Sequence, residues 1–176
     1  MGRHVALLRA VNVGGRQLPM AELRALCAGI GWEDVQTYIQ SGNVVFGARA
    51  GADKLEAVLE KAIAERFAMD VPVIVRSADE WRAYAPANPF PDAAKDEPSR
   101  LMLLLSKRPP AAGAEQAIQA KAAAGEQVRR VSDALWIHYP QGAGTSKLTP
   151  SLIDRAAGSP ATARNFRTVL KLEEML

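Results

Sequence analysis

Four stretches of this chain hold the residue types that grip a negatively charged group. Asn12-Val13-Gly14-Gly15-Arg16 is the first. Adjacent glycines let backbone N–H groups converge on an anion, and the end of the helix that follows adds positive potential. Ser41-Gly42-Asn43 is the second, presenting a hydroxyl, an amide and a backbone without a Cβ. The third is Gly142-Ala143-Gly144-Thr145-Ser146-Lys147, phosphate-cradling in composition but without the Gly-Lys-Ser/Thr order of a P-loop. In the fourth, Arg164, Arg167, Thr168 and Lys171 recur at spacings of three and four, with Asn165 beside them. On a helix that spacing makes one basic face. The expected ligand-binding set is therefore Asn12, Gly14, Gly15, Ser41, Gly42, Asn43, Thr145, Ser146, Lys147, Arg164, Asn165, Thr168 and Lys171. Each stretch also has a plain structural use: a tight turn, a surface loop or a solvated basic face.

The groups that carry out bond chemistry are scarce. His4 and His138 fall in expected strands without metal-ligand spacing, so both read as structural. Cys27 lies on the apolar side of an expected helix and reads as core. No serine sits in a nucleophile elbow, and adjacent Ser146 and Lys147 are poorly placed to act on each other. No metal and no cofactor are expected.

These loops must be held by strands and helices. Val35 to Phe46 reads as a β-hairpin, with β-branched and aromatic residues at period two around the Ser41-Gly42-Asn43 reversal. His4 to Val11 is a near-continuous apolar run, the mark of a central strand. A helix follows Pro19. A second, capped by Asp53, carries the stripe Leu55, Leu59, Ile63 and Phe67. Val71 to Val75 is a short strand, and Ser77 with Glu80 forms a capping box for a short helix through Tyr84. The first half thus runs β-α-β-β-α-β, the ferredoxin-like arrangement. Residues 86–98 hold four prolines and read as a connector, pinned by Phe90. Beyond it, Leu101–Leu105 is a strand, residues 111–124 a helix, and Val128–Tyr139 a second hairpin. Thr149-Pro150 opens another helix, and Phe166–Met175 is the last. The second half repeats β-α-β-β-α and is expected to end in a helix where the first ends in a strand. The expected fold is α+β: two ferredoxin-like βαββα(β) units, spanning 1–85 and 99–176 and joined by 86–98.

Apolar content of 48% and charged content of 23% are ordinary for a soluble domain. No apolar run reaches the roughly 18 residues of a membrane span. A lone cysteine allows no internal disulfide, which suits the cytoplasm. The net charge of +3 is modest but uneven. Residues 1–31 carry +3 and residues 140–176 carry +2, so the basic ends coincide with the glycine-rich loops.

Together, Ala6–Gly15, Thr37–Phe46, Asn88-Pro89-Phe90, Ser146–Thr149 and Thr162–Leu172 resemble the DUF1697 family, a bacterial domain family of unknown function. The resemblance spans nearly the whole chain and implies an α+β domain; it supplies no activity. This chain departs from the family pattern in three places. Ala10 stands where Gly is expected, and Phe166 and Arg167 stand where Trp and Asn are expected.

Three functions are open at this point. The first is binding of an anionic ligand, either a phosphate-containing small molecule or single-stranded nucleic acid. The aromatic RNP pattern of RNA-binding sheets is missing, however. The second is an enzyme acting on a phosphorylated or carboxylated substrate, with Arg and Lys stabilising charge. The third is a structural or interaction protein whose polar blocks fasten its own parts together.

Overall fold

The structure is a computed structural model describing residues 1–176. The chain divides into two compact units, Met1–Arg82 with Leu172–Leu176, and Ala83–Lys171. This differs from the expected partition. The proline-rich stretch belongs to the second unit and carries a helix of its own, and the last five residues belong with the first. No helix is long and apolar enough to cross a membrane.

The first unit runs β1 (Gly2–Leu8), α1 (Met20–Gly29), β2 (Glu33–Tyr38), β3 (Asn43–Ala48), α2 (Ala52–Phe67), β4 (Val73–Ser77), and most of α3 (Ala78–Tyr84). Its sheet is antiparallel with the order β2-β3-β1-β4. Ala6 is opposite both Val44 and Val75, so apolar side chains from three strands meet on one face. There they pack with Leu23 and Cys27 of α1 and Leu55, Leu59 and Ile63 of α2. Val5, Leu7, Val45 and Ile74, which alternate with them, are also buried. A strand buried on both faces reads as an unbroken apolar run, as β1 does. The capping box forms as expected: Glu80 Oε2 accepts from Ser77 N at 2.7 Å, and Ser77 Oγ accepts from Glu80 N at 3.3 Å. Asp53 does not cap α2. Gly51 holds that position, with no side-chain cap, and Asp53 lies in the first turn.

The second unit runs from the end of α3 through α4 (Pro91–Asp96), β5 (Leu101–Ser106), α5 (Ala114–Gln119), β6 (Gln127–Val131), β7 (Ala134–His138), α6 (Pro150–Ala157), β8 (Ala161–Asn165) and the start of α7 (Phe166–Met175). Its sheet order, β6-β7-β5-β8, repeats that of the first, again antiparallel. The expectation that the closing strand gives way to a helix is therefore corrected. Ala161–Asn165 is a strand paired with β5, and the helix follows it. Helix α5 is also shorter than the run of alanines implied. Its last turns loosen where Glu126 Oε2 takes the N–H groups of Ala123 and Ala124.

Side chains from neighbouring elements cap the sheet edges. Along β4, the N–H groups of Val73, Val75 and Ser77 donate to Glu60, Glu56 and Glu80. Along β6, Val128 N and Arg130 N donate to Gln119 and Glu115 of α5. On β8, Ala161 N donates to Asp154 of α6. An exposed strand edge is a template for unwanted pairing, and these contacts occupy it.

Candidate functional site

The loop after β1 is wound unusually tightly. Ala10, Asn12, Gly14 and Gly15 all take positive φ, at 54°, 56°, 58° and 82°. Asn12 holds the winding in place. Its Nδ2 donates to Leu18 O at 3.0 Å and to Gln40 O at 2.6 Å, and its Oδ1 accepts from Leu18 N at 2.8 Å. The Asn12 amide is thus committed to the loop itself. Gly14 and Gly15 are different: an added Cβ would meet nothing within 4 Å at either. Their backbone is open, which is what close approach by a ligand requires.

That backbone borders a shallow hollow of about 760 Å³ at the start of α1. Arg16, Gln17, Arg24 and Gln40 complete its polar lining, and no carboxylate is among the lining residues. Glu22, the acid in the first turn of α1, instead faces the α1–α2 groove, 3.8 Å from Arg66 Nη2. Arg16 Nη2 donates to Asp70 O at 2.6 Å, and Arg24 Nη1 donates to Thr37 Oγ1 at 2.5 Å. A guanidinium has five N–H donors, so each arginine is held in position and still has donors for an acceptor.

The hairpin turn is less open than its composition implies. Asn43 is fully buried, and its Nδ2 donates to Tyr38 O at 2.9 Å and Ser41 Oγ at 3.0 Å. Gly42 O accepts from Leu8 N at 2.8 Å. A Cβ on Gly42 would stand 2.7 Å from Val11 Cγ2 and 2.8 Å from Leu8 Cβ. Ser41, Gly42 and Asn43 therefore clamp the turn against β1.

In the second unit, residues 143–145 form a single short 3₁₀ turn. Ser146 Oγ donates to Glu126 Oε1 at 2.5 Å and accepts from Leu148 N at 3.2 Å. The Ser146 bond, followed by backbone N–H groups, holds the Glu126 carboxyl below its usual range. Thr145 and Lys147 are exposed.

The expected basic face of residues 164–171 does not form. Arg164 lies in β8, outside the helix, with its Nη1 donating to Thr162 Oγ1 at 2.7 Å and Ala163 O at 2.9 Å. Burial lowers its pKa to about 10. Asn165 caps α7, its Oδ1 accepting from Thr168 N at 3.0 Å. Thr168 is buried and Lys171 exposed. The strand-to-helix junction at Asn165–Phe166 breaks the helical spacing on which the stripe depended.

Of the expected residues, then, the first unit gathers Asn12, Gly14 and Gly15 at one hollow. Arg16, Arg24 and Gln40 were not anticipated there. Arg16 follows the glycine pair directly, a signal present in the sequence, whereas Arg24 lies one turn into α1 and meets the loop only on folding. A second network was also missed: Glu97 accepts from Arg100 Nη1 at 2.9 Å and lies 2.8 Å from His138 Nε2.

Fold and site define an α/β protein of two four-stranded antiparallel sheets with a basic, glycine-lined hollow in the first unit. Residues 1–136 match the family described as "Protein of unknown function (DUF1697)", and the chain belongs to that family. Among solved structures, the chain is similar to "conserved bacterial protein SP0830 from Streptococcus pneumoniae". The TM-score is 0.72 at 21% identity, over 99% of this chain and 98% of that one. This likeness concerns the fold. No curated protein matches the chain.

Proposed function

We propose that the protein binds an anionic ligand, a phosphate-bearing small molecule or a nucleic-acid phosphate, at the β1–α1 loop of its first unit. The observation carrying this reading is a hollow with two tethered arginines, an open Gly14-Gly15 backbone and no lining carboxylate. The start of α1 adds positive potential, and bound anions favour such ends. The β-α-β-β-α-β order and the strand order β2-β3-β1-β4 support a ferredoxin-like description of the unit. A single buried cysteine fits a reducing compartment such as the cytoplasm.

A second reading applies to the other polar blocks. Asn43, Ser146 and Asn165 bind the chain's own backbone or side chains, which favours a fastening role for them.

Titration with inorganic phosphate, followed by backbone amide NMR, tests the first reading. The Gly14 and Gly15 amides shift, and Arg16→Ala and Arg24→Ala each weaken binding about tenfold, within the range of a charge-assisted hydrogen bond. Labelled single-stranded RNA and DNA across a salt series separate the two ligand classes, because phosphate-backbone binding falls steeply with salt. No response of either glycine to any of these probes overturns the proposal.

A further inference from the structure

A second cavity in the first unit, of about 310 Å³, lies where β3 hands over to α2. Ile30, Leu55 and Val58 supply apolar walls, and Trp32 lines it together with Arg49 and Lys54. Trp32 is held rigidly. Its ring stacks on Phe46 with centroids 3.7 Å apart and planes 7° from parallel, and only 6% of the residue is exposed.

The indole N–H of Trp32 has no hydrogen-bond partner within the chain, and it is not among the fully enclosed orphan atoms, of which His4 Nδ1 is the one example. Trp32 is one of the residues that line the cavity, and it keeps a little exposed surface. A buried indole N–H ordinarily finds an acceptor, and one left without a partner incurs a desolvation cost. Three further features surround the same space. Arg49 and Lys54 are exposed and form no ion pair. The 16-residue helix α2 starts here at Gly51, with no side chain capping its first N–H groups.

We infer that this cavity is a binding site for a small carboxylate with an apolar body. The carboxylate takes the Trp32 indole N–H and the Arg49 and Lys54 cations, and the aliphatic or aromatic body lies against Ile30, Leu55 and Val58. Glu33 also borders the cavity. With Glu33 at the rim, the Arg49 and Lys54 side chains leave one net positive charge, which a monocarboxylate neutralises. Neither Arg16 nor Arg24 takes part, so the site stands or falls apart from the β1–α1 hollow.

The test uses the full chain labelled with ¹⁵N, read at the indole N–H resonance of Trp32. Trp32→Phe, which keeps the ring stack, assigns that resonance by its loss. Phenylacetate and hexanoate are the probes, and phenylacetamide is the neutral control. Both carboxylates shift the Trp32 signal with millimolar dissociation constants, while the amide binds about tenfold more weakly. Arg49→Ala and Lys54→Ala, both surface changes, each weaken binding about fivefold with an unchanged melting temperature. If either variant is destabilised, Arg49→Gln or Lys54→Gln replaces it in the same titration. No movement of the Trp32 signal up to about 20 mM carboxylate overturns the proposal, as does equal affinity for the neutral amide.

Discussion

Glu97 Oε2 lies 2.8 Å from His138 Nε2, and the same carboxylate accepts from Arg100 at 2.9 Å through its other oxygen. The two contacts tie α4 and its flank to the β5–β7 pair of the second unit. The His138 bond, and then Arg100, hold the Glu97 carboxyl below its usual value. A depressed carboxyl stabilises the fold above its unfolded pKa and loses that contribution as pH falls through the folded one. Glu97→Gln should therefore flatten the fall in melting temperature on acidification below about pH 4.5. Thermal melts of both proteins across that range check it.

Asn12 makes three hydrogen bonds that fix the winding of the loop. Asn12→Ala should cost about 1–3 kcal/mol and leave Leu18 N–H without its acceptor. Urea denaturation gives the first number. If the β1–α1 hollow binds phosphate, the same variant should lose affinity even though its amide does not touch the ligand, because Gly14 and Gly15 lose their fixed geometry.

Ala10 and Gly42 test opposite sides of one rule. Ala10 sits at φ 54°, where an L side chain is strained, and it is exposed. Ala10→Gly should stabilise by up to about 1 kcal/mol, the strain relieved less the added freedom of the unfolded chain. Gly42→Ala adds a Cβ at φ 82° against Leu8 and Val11 and should destabilise by about 2–4 kcal/mol. Denaturant midpoints of the two variants should move in opposite directions.

Cys27 is fully buried, and burial pushes its thiol up to about 12. The thiolate is the reactive form, so a disulfide reagent at neutral pH should label the native protein only as fast as it opens. Addition of denaturant should bring full and rapid labelling. Rapid labelling of the folded chain would place Cys27 outside the core.

Much of the architecture was legible because its signals are local. The unbroken apolar run of β1, the capping box of Ser77 and Glu80, and Thr149 ahead of Pro150 each depend on neighbours within a few residues. Strand β8 was not legible in the same way. Thr162-Ala163-Arg164-Asn165 is short and half polar, and its pairing with β5, some sixty positions earlier, decides its conformation. The site divided along the same line. The glycine pair was visible as an open backbone, whereas Asn12, Asn43 and Ser146 looked free because one partner of each, Gln40, Tyr38 and Glu126, meets it only in the folded chain. Arg24 went unrecognised since only folding turns Glu22 away from it toward Arg66.

The glutamates of α2 that hold Val73 and Val75 make that helix a guard for the outermost strand of the first sheet. Amides on a rim normally trade their hydrogens with water quickly, yet these two can do so only when α2 lifts away. Deuterium uptake at the two valines thus becomes a clock for that lifting. The moment it records is also the moment when one molecule could recruit another by strand addition, so any change that loosens α2 should cost colloidal stability before it costs the fold.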